Sequence, residues 1–175
     1  MNKGIEEKIK RVRLLILDVD GVLTNGSIVL DEQGKEIKFF NVLDGFGIVL
    51  FRRLGYKTAI LSARKSEAVS ARASDLKIDK VCQDAYPKIN VYKELLGELG
   101  FSNEEVCFVG DDLPDVEVLK EVGFAVTVTG ACSEVQEVTD YVTENSGGGG
   151  AVREVIELIL KIQGRWSEAL ESCGV

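Results

Sequence analysis

Short apolar runs alternate along the chain with segments of helical period, and that alternation sets the first expectations. Leu14 to Leu17 is a continuous apolar run with no turn signal inside it, the pattern of a strand buried on both faces of a parallel sheet. Lys57 to Leu61, Val106 to Gly110 and Phe124 to Val128 read the same way, with shorter strands around Val81 and from Tyr141 to Thr143. Between them the spacing predicts a helix capped by Asp44 and reaching about Leu54, then helices over Ser66 to Leu76, Pro87 to Leu99, Pro114 to Val122, Ser133 to Val138 and Ala151 to Ile162. Gly55 and Gly100 stand where two of these should end, and Pro87 where one should begin. Lys3 to Lys10 reads as a short polar helix or arm, and residues 147–150, four glycines, as a flexible loop or a phosphate nest. Strands alternating with helices of this length specify an α/β fold, a doubly wound parallel sheet in a single domain over residues 1–175.

One stretch breaks the alternation. From Gly26 to Asn41 two β-rich arms flank Asp31 to Lys35, with Gly34 in the turn, which signals a β-hairpin insertion. Ile28, Leu30, Ile37, Phe39 and Phe40 make its arms too apolar to stand alone in water. An isolated hairpin is marginal, so this one is expected to pack on another subunit or to fold over a pocket mouth.

Composition then removes function classes. A net charge of −8 argues against a nucleic-acid or anionic-membrane surface. No apolar stretch approaches a membrane span and residues 1–13 lack a signal-peptide core, so the expected location is the cytoplasm. The four cysteines include no Cys-x-x-Cys pair, so neither a zinc site nor a disulfide scaffold is indicated; Cys82 and Cys107 read as core residues. The absence of histidine is more informative. It removes Ser-His-Asp and Cys-His catalysis and the commonest transition-metal ligand together.

The polar residues that end the strands form a set. The first strand closes on Asp18 and Asp20, where alternation would turn both carboxylates to one pocket. The second ends at Ser62 and Arg64, the fourth at Asp111, Asp112 and Asp115, and Lys88 opens the helix after the third. Open parallel sheets bind ligands outside these carboxyl ends. Taken singly, the acids are ordinary helix caps or first-turn residues, Ser62 a cap and Lys88 a surface charge. Yet two acids closing an apolar strand are costly to bury unless paired or metal-bound. As an ordered set, D-x-D-G-x-x-T, a strand-terminal Ser, a helix-leading Lys and G-D-D-x-x-D resemble the haloacid dehalogenase superfamily of phosphotransferases.

Phosphoryl transfer is carried mostly by positioning and by cationic stabilisation of the equatorial oxygens. A carboxylate nucleophile, here Asp18, gives an aspartyl-phosphate. Asp20 then protonates the leaving alkoxide and later deprotonates the attacking water. Two carboxylates beside a phosphate dianion need a hard cation with oxygen ligands, and Mg²⁺ fits. The resemblance implies that its ligands are the Asp18 carboxylate, the Asp20 main-chain carbonyl and the Asp111 carboxylate. It also implies that Ser62 and Lys88 hold phosphoryl oxygens, with Asp115 and Asp112 in support. The acid at position 20 favours a phosphatase over the superfamily's transport ATPases, which place Thr there.

Cap domains of this superfamily enter after the first strand or between the second and third strand regions. Here the first gap holds only the hairpin, and Ser62 to Lys88 has room for one helix and one short strand, so the chain is expected to be capless. An open pocket then needs neighbouring subunits as its lid. The segments F-F-N-V-L-D-G-F-G-I, S-A-R-K-S, V-S-A-R, V-G-D-D-L-P-D, T-D-Y-V-T and G-G-G-G-A-V-R-E-V look like those of the capless 3-deoxy-D-manno-octulosonate 8-phosphate phosphatases of lipopolysaccharide synthesis, which are homotetramers. That likeness implies a sugar-acid phosphate as substrate. It places Arg64, Arg72 and the segment Asn41, Val42, Leu43, Asp44 and Gly45 around the substrate, since an arginine fork suits a carboxylate. Relatives acting on nine-carbon sugar acids tend to carry an acid in place of Arg64, which favours the eight-carbon substrate. Ser62-Ala63-Arg64 replaces the more usual Thr-Gly-Arg, and Val49 stands where some members have a basic residue. Arg72 read alone is a helix-surface charge. The tail from residue 163 to 175 resembles family tails that reach an adjacent pocket, although its own periodicity does not demand this.

Overall fold

The structure is a computed structural model that describes residues 2–174; Met1 and Val175, the outermost residues of the expected domain and tail, lie outside the described residues. Six strands form one all-parallel sheet: β1 (Leu14–Leu17), β4 (Lys57–Leu61), β5 (Lys80–Cys82), β6 (Val106–Val109), β7 (Phe124–Thr129) and β8 (Tyr141–Ser146), in the order β5-β4-β1-β6-β7-β8. Successive strands run outward from β1 first to one side and then to the other. The loops leaving β1 and β6 are therefore neighbours at the point where the winding reverses, the place where open α/β sheets form their crevice.

The side-chain period of two explains why β1 carries no polar residue. Leu15 and Leu17 join one core with α1 (Lys3–Arg11), α2 (Val42–Arg53), α3 (Glu67–Leu76) and α7 (Ala151–Ile162). Leu14 and Ile16 join the other with α4 (Lys88–Leu99), α5 (Val116–Glu121) and α6 (Ser133–Gln136). All four residues are fully buried. At about 1.5–3 kcal/mol for each large apolar side chain, a polar residue anywhere in β1 would be expensive.

The hairpin pairs β2 (Val29–Leu30) with β3 (Glu36–Ile37) antiparallel, apart from the main sheet. It occupies the gap after β1, and α3 with β5 fills the stretch from Ser62 to Lys88; among the described residues neither gap holds a cap domain.

Three expectations need correction. Asn41, not Asp44, caps α2, its side chain accepting the Leu43 N–H at 2.7 Å. Asp44 is buried within α2 and caps a different helix: its carboxylate accepts the N–H groups of Arg153 (2.9 Å) and Gly150 (3.3 Å) at the start of α7. The four glycines are neither a loose loop nor a nest but a close-packed turn. A Cβ on Gly147 would lie 1.6 Å from the Gly21 carbonyl oxygen, and the Gly148 N–H donates to the Val22 carbonyl at 2.9 Å. The tail also contains a helix that its sequence did not announce, α8 (Trp166–Glu171), which packs on α7 and α2 with Ala169 buried.

Candidate active site

β1 ends at Leu17, so Asp18 and Asp20 lie in the turn beyond it and are not brought together by strand alternation. The turn does the work. The N–H groups of Val22, Leu23 and Thr24 all donate to the Val19 carbonyl, coiling the chain tightly. Gly21, at φ +90°, presses its backbone against Asp111, where a Cβ would lie 1.8 Å from Oδ2. Only glycine tolerates both conditions. A cavity of about 240 Å³ results, lined by Asp18, Asp20, Ser62, Arg64, Lys88 and Asp111 together with Asp112 and Asp115. Elements from four separate strands thus supply one crevice.

Lys88 organises its floor. Its side chain is 2% exposed, and its Nζ lies 2.6 Å from Asp115 Oδ1 and 3.0 Å from Asp18 Oδ2. Asp115 spends its other oxygen on the N–H groups of Asp111 (3.1 Å) and Asp112 (3.3 Å), so both of its oxygens are engaged. Burial opposes charge on Lys88, yet the Asp18 and Asp115 carboxylates outweigh it and raise the ammonium pKa. Burial and the nearby Asp115 charge push the Asp18 carboxyl upward, against the pull of Lys88. Asp111 goes up to about 7, first by burial, then by the charges of Asp18 and Asp115.

One cation cannot neutralise three acids. Ligand atoms of Asp18, Asp111 and Asp115 lie within 4.8 Å of one another, and Asp111 Oδ1 is buried without a hydrogen-bond partner. With Asp115 committed to Lys88 and to backbone donors, the oxygens left for a metal belong to Asp18 and Asp111. Such an all-oxygen, anionic, partly dehydrated donor set suits a hard divalent ion.

Ser62 is buried at the end of β4, with its main-chain N–H donating to the Cys82 carbonyl and its Oγ facing the Arg64 N–H at 3.4 Å. Arg64 sits at the mouth, its Nε 3.6 Å from Asp20 Oδ2. The remaining expected substrate residues lie off this cavity in the single chain. Arg72 pairs with Asp75 at 2.8 Å and lies against Gly45, where a Cβ would meet its Nη2 at 2.1 Å. Asn41 donates to the Gly148 carbonyl at 3.2 Å, Val42 and Leu43 are exposed, and Asp44 is committed to α7. Val49 packs against the core.

A haloacid dehalogenase-like hydrolase family profile matches residues 59–156. A 3-deoxy-D-manno-octulosonate 8-phosphate phosphatase of Escherichia coli is 43% identical over 169 residues, covering 97% of this chain and 90% of the relative. The chain belongs to the haloacid dehalogenase-like hydrolases, in the 3-deoxy-D-manno-octulosonate 8-phosphate phosphatase family. Its solved family member from Moraxella catarrhalis, in complex with magnesium, phosphate and KDO, superposes with a TM-score of 0.95 at 37% identity, over 98% of this chain and 99% of that one. A probable YrbI family phosphatase from Pseudomonas syringae gives the same TM-score at 41% identity, with 99% of each chain covered. The chain therefore shares the fold of those relatives over nearly its full length.

Two site residues escaped the sequence reading. Glu36 and Lys38, at the exit of the hairpin, both reach the mouth: Arg64 Nη2 lies 3.0 Å from Glu36 Oε1, and Lys38 pairs with Asp20 and with Glu36. The signal was present in the alternation. Residues 36 and 38 share one side of the arm, opposite Ile37, so the hairpin has a charged face as well as the apolar one.

Proposed function

We propose that this protein is a Mg²⁺-dependent phosphomonoesterase that hydrolyses 3-deoxy-D-manno-octulosonate 8-phosphate to the sugar acid and phosphate. The observation that carries the reading is the meeting of Asp18, Lys88, Asp115 and Asp111 at the winding reversal of the sheet. The 43% identity to a phosphatase named for that substrate supplies the substrate.

Asp18 attacks phosphorus; the bond from phosphorus to the sugar oxygen breaks as the bond to Asp18 forms, and Asp20 delivers a proton to the leaving oxygen. A water then attacks the aspartyl-phosphate and gives its proton to Asp20, releasing phosphate and restoring the Asp18 carboxylate. Lys88 and Ser62 hold phosphoryl oxygens, while Asp115 keeps Lys88 aimed. Asp18 and Asp111, with the Asp20 carbonyl, would hold Mg²⁺, which supplies positive charge against the developing negative charge. Arg64 offers a fork for the substrate carboxylate at the mouth.

The same proposal extends to assembly and setting. Ile28, Leu30 and Phe39 on the hairpin and Val42 and Leu43 on α2 are exposed in the single chain. A homotetramer whose neighbours cover this face would close the open pocket and let Arg72 and the exposed Val42 and Leu43 contribute to a complete substrate site. Free thiols at all four cysteines, and no described helix long and apolar enough to cross a membrane, accord with a cytoplasmic enzyme of lipopolysaccharide-precursor synthesis.

The test is phosphate release across a panel of sugar phosphates, with and without Mg²⁺. Highest kcat/KM on the eight-carbon sugar-acid phosphate is expected. Higher turnover of a nine-carbon sugar-acid phosphate, or equal turnover of neutral sugar phosphates, would overturn the substrate assignment.

A further inference from the structure

The hairpin contributes an ion-pair ring to the mouth of the site. Lys38 is 2% exposed in its side chain, although the next residue, Phe39, is 69% exposed. Its Nζ bridges Asp20 Oδ1 and Glu36 Oε1, the latter at 3.2 Å. On the other side Arg64 bridges the same two acids, with Nε 3.6 Å from Asp20 Oδ2 and Nη2 3.0 Å from Glu36 Oε1. Each oxygen of Asp20 therefore faces a different cation, and Glu36 ties the two cations together.

The two cations differ in access. Asp20 and Arg64 line the 240 Å³ cavity; among the described residues that line it, Lys38 is absent. Lys38 approaches Asp20 from the protein side and Arg64 from the open side. Dehydrating an ammonium is costly and is recovered only when the geometry is good, so a lysine whose side chain is enclosed at the exit of an otherwise exposed hairpin marks a place where one arrangement is being specified. A carboxylate in a turn, held by its backbone alone, would sample several rotamers.

We infer that Lys38, anchored by Glu36, is a positioning residue that fixes the orientation of the Asp20 carboxylate for proton transfer to the leaving group. The hairpin is thus part of the catalytic apparatus of its own subunit, besides offering an apolar face outward. Arg64 is the exchangeable partner: an anionic substrate entering from the open side takes its guanidinium, and Lys38 then remains the one contact that keeps Asp20 in place. The inference rests on the reading of Asp20 as proton donor.

Leaving-group dependence separates that role from binding and from folding. kcat/KM reports events through departure of the leaving group, and p-nitrophenolate departs without a proton whereas a sugar alkoxide needs one. For Lys38→Met with Mg²⁺ present, kcat/KM is expected to fall about a hundredfold on the sugar-acid phosphate and on a neutral sugar phosphate, the low end for losing a proton donor, and less than about fivefold on p-nitrophenyl phosphate. Glu36→Gln should show the same selectivity with a smaller loss, and Lys38→Arg should recover most of it. Equal losses on all three esters would show a merely structural staple. A loss confined to the sugar-acid phosphate would make Lys38 a ligand of the substrate carboxylate, and no loss would dismiss it; each overturns the inference. Should Lys38→Met fail to fold, Glu36→Gln decides by the same three substrates. Asp20→Asn keeps the two readings apart: if it lacks the leaving-group selectivity, the proton-donor reading itself fails, whereas selectivity in Asp20→Asn without it in the Lys38 and Glu36 variants refutes only the positioning role.

Discussion

At the scale of single residues, the site is an arithmetic of charge. Asp18, Asp111 and Asp115 share one buried cation, Lys88, and the imbalance is what makes a place for a divalent ion. Lys88→Met would leave those carboxylates crowded and unpaired. Breaking a buried pair from one side costs roughly 3–5 kcal/mol, so a clear fall in Tm at pH 8 is expected by calorimetry, with a smaller fall at pH 5 where the acids can take up protons. The sign for the metal follows from Asp111. Its folded pKa of about 7 lies above the ordinary value of 3.8, so the folded metal-free protein holds a proton there that the unfolded chain has lost. Metal-free stability from this group therefore falls as pH rises from about 4 to about 7, since the folded state binds more protons over that range. Mg²⁺ competes for the same oxygens. Its stabilising shift in Tm is expected to be larger at pH 8 than at pH 6; an equal shift at both would place the metal elsewhere.

At the scale of elements, loops that the sequence scatters are welded together. The turn after β1 leans on Asp111 through Gly21 and on the glycine turn through Gly147, and that turn leads into α7, whose start is capped by Asp44 from α2. Asp44→Ala removes an acceptor for two N–H groups; a loss of about 1–2 kcal/mol, read by chemical denaturation, is expected, with Asp44→Asn retaining part of it. A neutral result would mean that the α7 terminus finds another partner. The parallel strands and most helices were legible because their cues are local: continuous apolar runs, Gly55 and Gly100 after helices, Pro87 before one. The role of Asp44 was not, because Gly150, at the start of the helix it caps, lies 106 residues further along the chain. Nor was α8 foreseen, since its one buried residue, Ala169, gives six residues no readable period. Lys38 reads as one polar position in an arm marked by its apolar residues, and only tertiary contact shows that its side chain turns inward.

At the scale of the whole molecule, the sheet supplies a rim and the hairpin supplies both a wall and a handle. The strand-end set Asp18, Asp20, Ser62, Lys88 and Asp111 was readable before any coordinates, because a doubly wound sheet sends every strand's carboxyl end to one edge. What the sequence could not show is how little of the expected substrate contact a lone chain completes, with Arg72 and residues 41–45 outside the cavity lining. In the proposed tetramer a neighbour would cover the apolar hairpin and complete the pocket. Sedimentation of the wild type is expected to give a tetramer, and Phe39→Asp a smaller species with a raised KM; a monomeric wild type with full activity would refute the shared pocket. The convergence of residues 18 and 111 on one divalent ion, with the former as nucleophile, is best tested by phosphate release from 3-deoxy-D-manno-octulosonate 8-phosphate in the wild type and in Asp18→Asn, each with Mg²⁺ and with chelator. Mg²⁺-dependent release in the wild type, reduced by more than about a thousandfold in the variant on the scale of a lost nucleophile, is the expected result. Turnover that persists in Asp18→Asn, or that ignores the chelator, would contradict it.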